Sequence, residues 1–214
     1  MNVELYVITD PDISRGRSHA QVAELAIKGG ATVIQLRDKK ANTRQLIEVG
    51  QVLREITRRM GVTFIVNDRV DVALAVDADG VHLGEEDMPV SVARRLLGPN
   101  RIIGASPERL DDAPLAERDG ADYLGVGSVF GTSTKLDAGP PIGVESLARA
   151  KRMVRIPIVA IGGVSADNAA QAIAAGADGV AVISAVVGAE DVAGAARRLR
   201  QIVQEAKRKR GQAS

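Results

Sequence analysis

The 214-residue chain has no cysteine, no tryptophan and only four other aromatic residues, Tyr6, Phe64, Tyr123 and Phe130. Without cysteine it has no disulfide framework, no thiolate metal site and no cysteine nucleophile, which fits a cytoplasmic protein. Four aromatics are too few for the stacked surface on which nucleic-acid bases are bound. Any chemistry must therefore come from the remaining polar residues and from the backbone.

Long apolar runs and an excess of one charge are missing as well. No stretch approaches the roughly 18 apolar residues that a membrane span needs, and no basic and apolar leader opens the chain. The 28 lysines and arginines offset 27 acidic residues, which leaves a net charge of +1 and no general attraction to nucleic acid. We therefore expect partners that are neither membranes nor nucleic acids.

Short apolar runs alternate with amphipathic segments along the whole chain. Nearly continuous apolar strands are typical of a parallel sheet that is covered on both faces. Strands are predicted over 5–9, 32–37, 63–67, 80–83, 102–105, 123–127, 158–161 and 179–183. Helices are predicted over 18–28, 43–60, 69–76, 89–97, 108–118, 143–154, 165–175 and 191–208.

Eight strand–helix units in about 200 residues predict an α/β fold, a single (β/α)8 TIM barrel. A weak repeat supports this, because Gly-Ala pairs at Gly30, Gly120 and Gly176 each join a helix to a strand. The rival open sheet usually carries a G-x-G-x-x-G motif after its first strand, which is absent here. We assign 1–206 to one barrel domain and 207–214 to a solvated basic tail that complements the dipole of the last helix.

Functional groups of such barrels lie where the strands end and in the loops that follow. Arg37 and Lys39 are alternate residues leaving the second strand, and Lys135 lies in a long Gly-, Thr- and Pro-rich loop over 128–141. Three cations at one end of a barrel favour a polyanion such as diphosphate. The alternative is that they form salt bridges with Asp38, Asp68 or Asp87.

Two carboxylates and two glycine-containing turns complete this end of the predicted barrel. Asp68 and Asp87 follow adjacent strands, where oxygen ligands suit Mg²⁺ that bridges to phosphate; alternatively, Asp68 caps the next helix. His82 is expected to be structural. Backbone amides after the seventh and eighth strands, at Gly162-Gly163 and Ile183-Ser184, favour a second phosphate, so the chain would join two phosphorylated molecules.

Motifs at these strand ends resemble those of the thiamine-phosphate synthase family, in order over nearly the whole chain. They are Gln35-Leu36-Arg37-Asp38-Lys39, Asn67-Asp68-Arg69-Val70-Asp71, Asp79-Gly80-Val81-His82-Leu83-Gly84, Glu86-Asp87, Gly104-Ala105-Ser106, Thr132-Ser133-Thr134-Lys135, Ala160-Ile161-Gly162-Gly163 and Ile183-Ser184.

The resemblance implies a barrel that joins 4-amino-2-methyl-5-(diphosphooxymethyl)pyrimidine to 4-methyl-5-(2-phosphooxyethyl)thiazole, with Mg²⁺ as cofactor. The products would be thiamine phosphate and diphosphate. By the same resemblance, Asp68 and Asp87 bind Mg²⁺, and Arg37, Lys39 and Lys135 are catalytic. The pyrimidine diphosphate would be held by Gln35, Leu36, Arg37, Asp38, Lys39, Asn67, Ser106 and Lys135. The thiazole phosphate would be held by Thr132, Ser133, Thr134, Gly163, Ile183 and Ser184.

The chain departs from the family pattern at a few positions, and two alternatives stay open. It has Asp38 where Glu is frequent, Ser128 where Pro is frequent, and Pro107-Glu108 where a His commonly follows the serine. Thiazole tautomerases resemble this chain but use a His in that neighbourhood. The other alternative is a regulator that binds thiamine precursors without catalysis. The sequence leaves open whether the chain forms a homo-oligomer.

Overall fold

The structure, a computed structural model, describes residues 1–132 and 139–212. Within those residues, eight parallel strands close into a barrel in which each strand pairs with the next and β8 pairs with β1. The strands are β1 Leu5–Ile8, β2 Val33–Leu36, β3 Thr63–Asn67, β4 Gly80–Gly84, β5 Ile102–Ser106, β6 Tyr123–Val126, β7 Ile158–Ala160 and β8 Gly179–Val182. The predicted TIM barrel is confirmed, and each predicted strand is present to within a residue or two at its ends.

Helices cover the outside of the barrel, and local sequence fixes where several of them begin and end. They are α1 His19–Lys28, α2 Thr43–Met60, α3 Val70–Ala75, α4 Val90–Leu97, α5 Ala113–Arg118, α6 Glu145–Met153, α7 Ala169–Ala174, α8 Ser184–Val187 and α9 Val192–Gln212. Ser18 and Asn42 open α1 and α2 with capping boxes. Gly61 ends α2 in the left-handed conformation that glycine adopts without strain. In the described part of the chain, none of these helices has the length and apolar character to cross a bilayer.

Two hydrophobic layers hold the barrel together. Between strands and helices lies a large outer core that includes Leu53, Phe64 and Leu124. Inside the barrel lies a smaller core that includes Val33, Ile65 and Val159. Because successive side chains of a strand point to opposite faces, each strand contributes alternately to the two layers. Tyr6 and Tyr123 are the large side chains of the inner layer, and their hydroxyls meet there at 2.8 Å.

The C-terminal residues differ from the expected solvated tail, because α9 continues to Gln212. Lys207 donates to the Asp178 carbonyl at 3.2 Å and pairs with Glu4 at 3.0 Å. Arg210 donates to the carbonyls of Ile173 and Ala177, both at 2.8 Å. The basic residues at 207 and 210 therefore satisfy carbonyls at the ends of neighbouring elements and fasten α9 to the barrel.

Candidate active site

The cations that follow β2 lie at the carboxyl end of the barrel, and each is already paired with a carboxylate. Arg37 donates to the buried carboxylate of Asp10, which follows β1. Lys39 donates to Asp68, which follows β3. The pair with Asp68 is one that the salt-bridge alternative foresaw, whereas Asp10 was not foreseen. Charge at the mouth is therefore balanced locally while both side chains stay at the entrance.

Asp68 and Asp87 are brought together, as two adjacent strand ends require. Asp87 accepts from the Gly84 amide at 2.7 Å, and its carboxylate lies near enough to Asp68 to raise the pKa of that side chain. Burial raises the pKa of Asp68, the nearby Asp87 raises it further, and Lys39 opposes both effects. Two neighbouring carboxylates thus repel each other, and Lys39 pairs with one of them, Asp68.

The backbone supports a functional role for Asp68 rather than a helix cap. Its φ of +61° lies in the left-handed region, which non-glycine residues occupy at a cost and which concentrates at functional sites. The Asn67 side chain donates to its carboxylate. The N-cap of α3 is Arg69, with no side-chain cap hydrogen bond, so the proposed capping by Asp68 is wrong.

This donor set fits a hard divalent cation that keeps several ligands from water or substrate. Within 1–132 and 139–212, no three His, Cys, Asp or Glu side chains converge as a metal site. Mg²⁺ usually takes only one or two carboxylates from the protein and fills its octahedron with water and phosphate oxygens. Two neighbouring carboxylates meet that requirement, and the further ligands would come with a phosphorylated substrate.

Asp38 organises the loop after β2. It accepts from the backbone amides of Lys40 and Ala41 at 2.9 and 3.1 Å, and it lies 3.5 Å from Nε2 of His19. Nδ1 of His19 lies 2.7 Å from the Thr9 hydroxyl. Burial lowers the pKa of His19, and Asp38 acts in the opposite direction. The assignment of Asp38 to substrate binding stays a prediction.

A chain of hydrogen bonds crosses the barrel below the mouth, and its central residues were not predicted as site residues. The Gln35 amide nitrogen donates to the Tyr6 hydroxyl at 2.7 Å, which lies 2.8 Å from that of Tyr123. The Tyr123 hydroxyl lies 3.0 Å from Nδ1 of His82, whose Nε2 lies 2.9 Å from the Ser106 hydroxyl. All five are polar residues at inward positions of otherwise apolar strands, which the sequence shows, but their contacts with one another arise only when the barrel closes.

The turn after β7 has the two adjacent left-handed glycines that were expected of a phosphate-binding turn. Gly162 and Gly163 have φ of +89° and +67°. A Cβ on Gly163 would lie 2.0 Å from the carbonyl oxygen of Gly131, so no larger residue fits there. Ser184 begins α8 directly after Ile183, beside the end of β8. Both turns therefore lie at the same end of the barrel as Arg37 and Asp68.

The remaining predicted residues fall into two groups. Asn67 ends β3 and lies at the mouth, whereas the Leu36 side chain packs into the outer core. Thr132 is the last described residue before a gap. Ser133, Thr134 and Lys135 lie outside the described residues, so their assignments stay predictions.

A model of one protein family matches residues 5–186, and the family is described as thiamine monophosphate synthase. A thiamine-phosphate synthase of Chloroflexus aurantiacus is 61% identical over 199 residues, which cover 93% of this chain and 92% of the relative. One from Moorella thermoacetica is 57% identical over 206 residues, covering 96% of this chain and 98% of the relative.

A solved structure, the thiamine phosphate pyrophosphorylase from Pyrococcus furiosus, superposes with a TM-score of 0.88 at 52% identity. The match covers 96% of this chain and 97% of that one. The 3-hexulose-6-phosphate synthase from Salmonella typhimurium superposes with a TM-score of 0.71 at 19% identity, which shows a shared barrel fold alone. Family and fold thus agree with the motifs at the strand ends.

Proposed function

The chain belongs to the thiamine monophosphate synthase family, and from that premise we propose that it joins 4-amino-2-methyl-5-(diphosphooxymethyl)pyrimidine to 4-methyl-5-(2-phosphooxyethyl)thiazole. Membership makes it a transferase of thiamine biosynthesis. The products would be thiamine phosphate and diphosphate. The bond that breaks joins the pyrimidine CH₂ to diphosphate, and the bond that forms joins that carbon to the thiazole nitrogen.

The observation that carries this proposal is the pairing of two different anion-handling surfaces at one barrel mouth. Arg37 and Lys39 present cationic side chains after β2. Gly162 and Gly163 form a left-handed turn after β7, packed against Ser128 and Gly131. The first surface suits a diphosphate with several negative charges, and the second suits a phosphate monoester that approaches backbone amides. A reaction between two phosphorylated molecules needs both.

Charge development explains why cations and not a nucleophilic side chain are needed. As the C–O bond breaks, positive charge spreads over the electron-rich aminopyrimidine and negative charge grows on the diphosphate. Arg37 and Lys39, with Lys135 by resemblance, would neutralise that growing charge in a preorganised site. The thiazole nitrogen already carries a lone pair and requires no general base.

Asp68 and Asp87 are the residues that would hold Mg²⁺ in this proposal. When bound, the ion would screen the diphosphate charge and so make diphosphate a better leaving group. Lys39 would then exchange its bond with Asp68 for a bond with substrate, since the two cations compete for one carboxylate. In the absence of substrate, Asp68 would thus hold the Lys39 side chain close to the position of the diphosphate.

The deciding experiment supplies purified protein with both substrates and Mg²⁺ and measures both products. We expect thiamine phosphate and diphosphate in equal amounts, and neither product when the pyrimidine or the metal is omitted. Lys39→Gln should slow the reaction strongly, whereas Lys40→Gln should not, because Lys40 is exposed and pairs with Asp12. Binding of both substrates without any product would instead support the regulator, and thiazole isomerisation without coupling would support the tautomerase.

A further inference from the structure

The hydrogen-bonded chain inside the barrel links two residues that the family resemblance assigns to the pyrimidine substrate. Gln35 stands at one end, on β2, and Ser106 stands at the other, at the end of β5. Tyr6, Tyr123 and His82 lie between them, and none of these three residues was predicted to bind substrate or to act in catalysis. Both tyrosines are almost completely buried, so bulk water does not compete for their hydroxyls.

The donors and acceptors in this chain cannot be chosen independently. With its amide nitrogen facing Tyr6, Gln35 can only donate to that hydroxyl, so the hydrogen of Tyr6 would go to Tyr123. In that order Tyr123 would donate to Nδ1 of His82, 3.0 Å away. A neutral imidazole that accepts at Nδ1 carries its hydrogen on Nε2, which then donates to the Ser106 oxygen.

The consequence appears at the mouth. In this order of hydrogens Ser106 would accept from His82, and its own hydrogen would be left to be donated to another group. If the Gln35 amide were rotated by about 180°, its oxygen would face Tyr6 and the direction of every hydrogen bond in the chain would reverse. Ser106 would then donate its hydrogen to His82. A diphosphate oxygen accepts hydrogen bonds and cannot donate them. Ser106 can therefore donate to such an anion only in the arrangement in which Gln35 donates to Tyr6.

We propose that Tyr6, Tyr123 and His82 are positioning residues that fix the direction of hydrogen bonding, so that Ser106 donates to the diphosphate of the substrate. This inference rests on the proposed function for the identity of the anion. The order of hydrogens itself is a property of the protein without substrate. The three residues act through Gln35 and Ser106.

Two independent features of the barrel serve this arrangement. A Cβ on Gly104 would lie 2.1 Å from Cζ of Tyr123 and 2.5 Å from Nδ1 of His82, and one on Gly125 would lie 2.4 Å from the Ser106 oxygen. Glycine at both positions makes room for the chain. Burial also raises the pKa of Tyr6 and of Tyr123, so both keep the hydrogens that they pass on.

Nitrogen NMR of the imidazole rings tests the order of hydrogens directly. The protein has only two histidines, so His19→Gln leaves a spectrum with the His82 signals alone. We expect His82 to be the Nε2–H tautomer in the substrate-free protein. Tyr123→Phe removes the donor to Nδ1 and should shift the Nδ1 resonance. An Nδ1–H tautomer in the unaltered chain, or an Nδ1 resonance that Tyr123→Phe leaves in place, overturns the proposal.

Kinetics supply the second measurement. Tyr6→Phe and Tyr123→Phe should each lower kcat by about tenfold or more, the cost of weakening one hydrogen bond to a developing charge. The KM for the thiazole phosphate should stay within about twofold, since that substrate is bound elsewhere. Ile102→Val, a change in the same inner layer that alters no hydrogen bond, should leave kcat unchanged. Equal losses of kcat in all three variants would show a packing effect and overturn the proposal.

The two measurements separate this inference from the proposed function. If the unaltered protein makes no thiamine phosphate but His82 is the Nε2–H tautomer, the proposed substrates are wrong while the hydrogen order holds. If product forms and the tautomer is the opposite one, the positioning role is wrong while the function holds.

Discussion

Arg37 at the end of β2 donates to the buried carboxylate of Asp10 at the end of β1, so a cation of the mouth is held in place by its neighbouring strand. The bond links two adjacent parallel strands just beyond their last paired residues, Ile8 and Gln35. It keeps the guanidinium ready for an anion without leaving its charge uncompensated inside the protein.

Asp10→Asn should therefore destabilise the fold. The thermal stability of this variant should also depend on added anions. Loss of one partner from a mostly buried ion pair costs about 2–4 kcal/mol of unfolding free energy. Inorganic diphosphate should recover more of the thermal stability in this variant than it adds to the unaltered protein, because Arg37 then lacks a partner. The control is Asp12→Asn, whose pair with Lys40 is exposed to solvent and contributes little to stability. Equal stabilisation of all three proteins by diphosphate would contradict this account.

Asp68→Asn and Asp87→Asn should each weaken Mg²⁺ binding, because a neutral amide cannot balance the charge of the ion. We expect the Mg²⁺ concentration for half-maximal rate to rise by about tenfold or more. Calorimetric titration of the protein with Mg²⁺ in the presence of diphosphate measures the same loss without turnover. Asp71→Asn is the matched change, since Asp71 is exposed and pairs with Arg69. Unchanged Mg²⁺ dependence in either mouth variant would refute that ligand.

Gly163→Ala should weaken binding of the thiazole phosphate. The added methyl group would collide with the Gly131 carbonyl oxygen at 2.0 Å and displace the turn. The KM for the thiazole phosphate should then rise more than the KM for the pyrimidine. Gly61→Ala separates this from backbone strain, since Gly61 has the nearly equal φ of +66° but nothing within 4 Å of its Cβ position. That change should cost about 1 kcal/mol of stability and leave both KM values alone.

Acid should destabilise the protein in part through His19. Its pKa is lowered from the ordinary value of 6.5 because the ring is largely buried. Below pH 6.5, His19 binds a proton more readily in the unfolded chain than in the folded one. The contribution of neutral His19 to stability is therefore complete above pH 6.5 and is lost as the pH falls. Between about pH 7.5 and about pH 5.5, the unfolding free energy of His19→Gln should fall less than that of the unaltered protein. A parallel decrease in the two proteins would show that His19 does not contribute.

Arg210→Ala should loosen the last helix. Its guanidinium bonds to the carbonyls of Ile173 and Ala177, and losing a charged donor to such groups costs about 1–3 kcal/mol. Arg208 lies two residues away and is exposed, so Arg208→Ala should change stability by less than about 0.5 kcal/mol. Chemical unfolding of both variants measures the difference, and equal values would support the solvated tail that the sequence suggested.

The sequence was most informative where a repeated local pattern determines the structure. Eight apolar runs between amphipathic segments predict the barrel, since each strand must be buried on both faces. The partner of Arg37 was not predictable in the same way, because Asp10 became its neighbour only through the pairing of β1 with β2. The polar chain through Tyr6 and Tyr123 was missed for a similar reason, since 117 residues separate these tyrosines and only the closed barrel joins them. The end of α9 was misjudged because Lys207 and Arg210 find carbonyl partners that local sequence does not reveal.

The ion pair between Glu4 and Arg200 joins residues 196 positions apart, next to the pairing of β1 with β8. During synthesis on the ribosome, β1 emerges first and must wait for nearly the whole chain before its second neighbour exists. Until then its open edge can pair with other nascent chains. Closure at the seam between the two ends of the chain is therefore expected to be the slow and aggregation-sensitive stage of production, most of all at high expression levels.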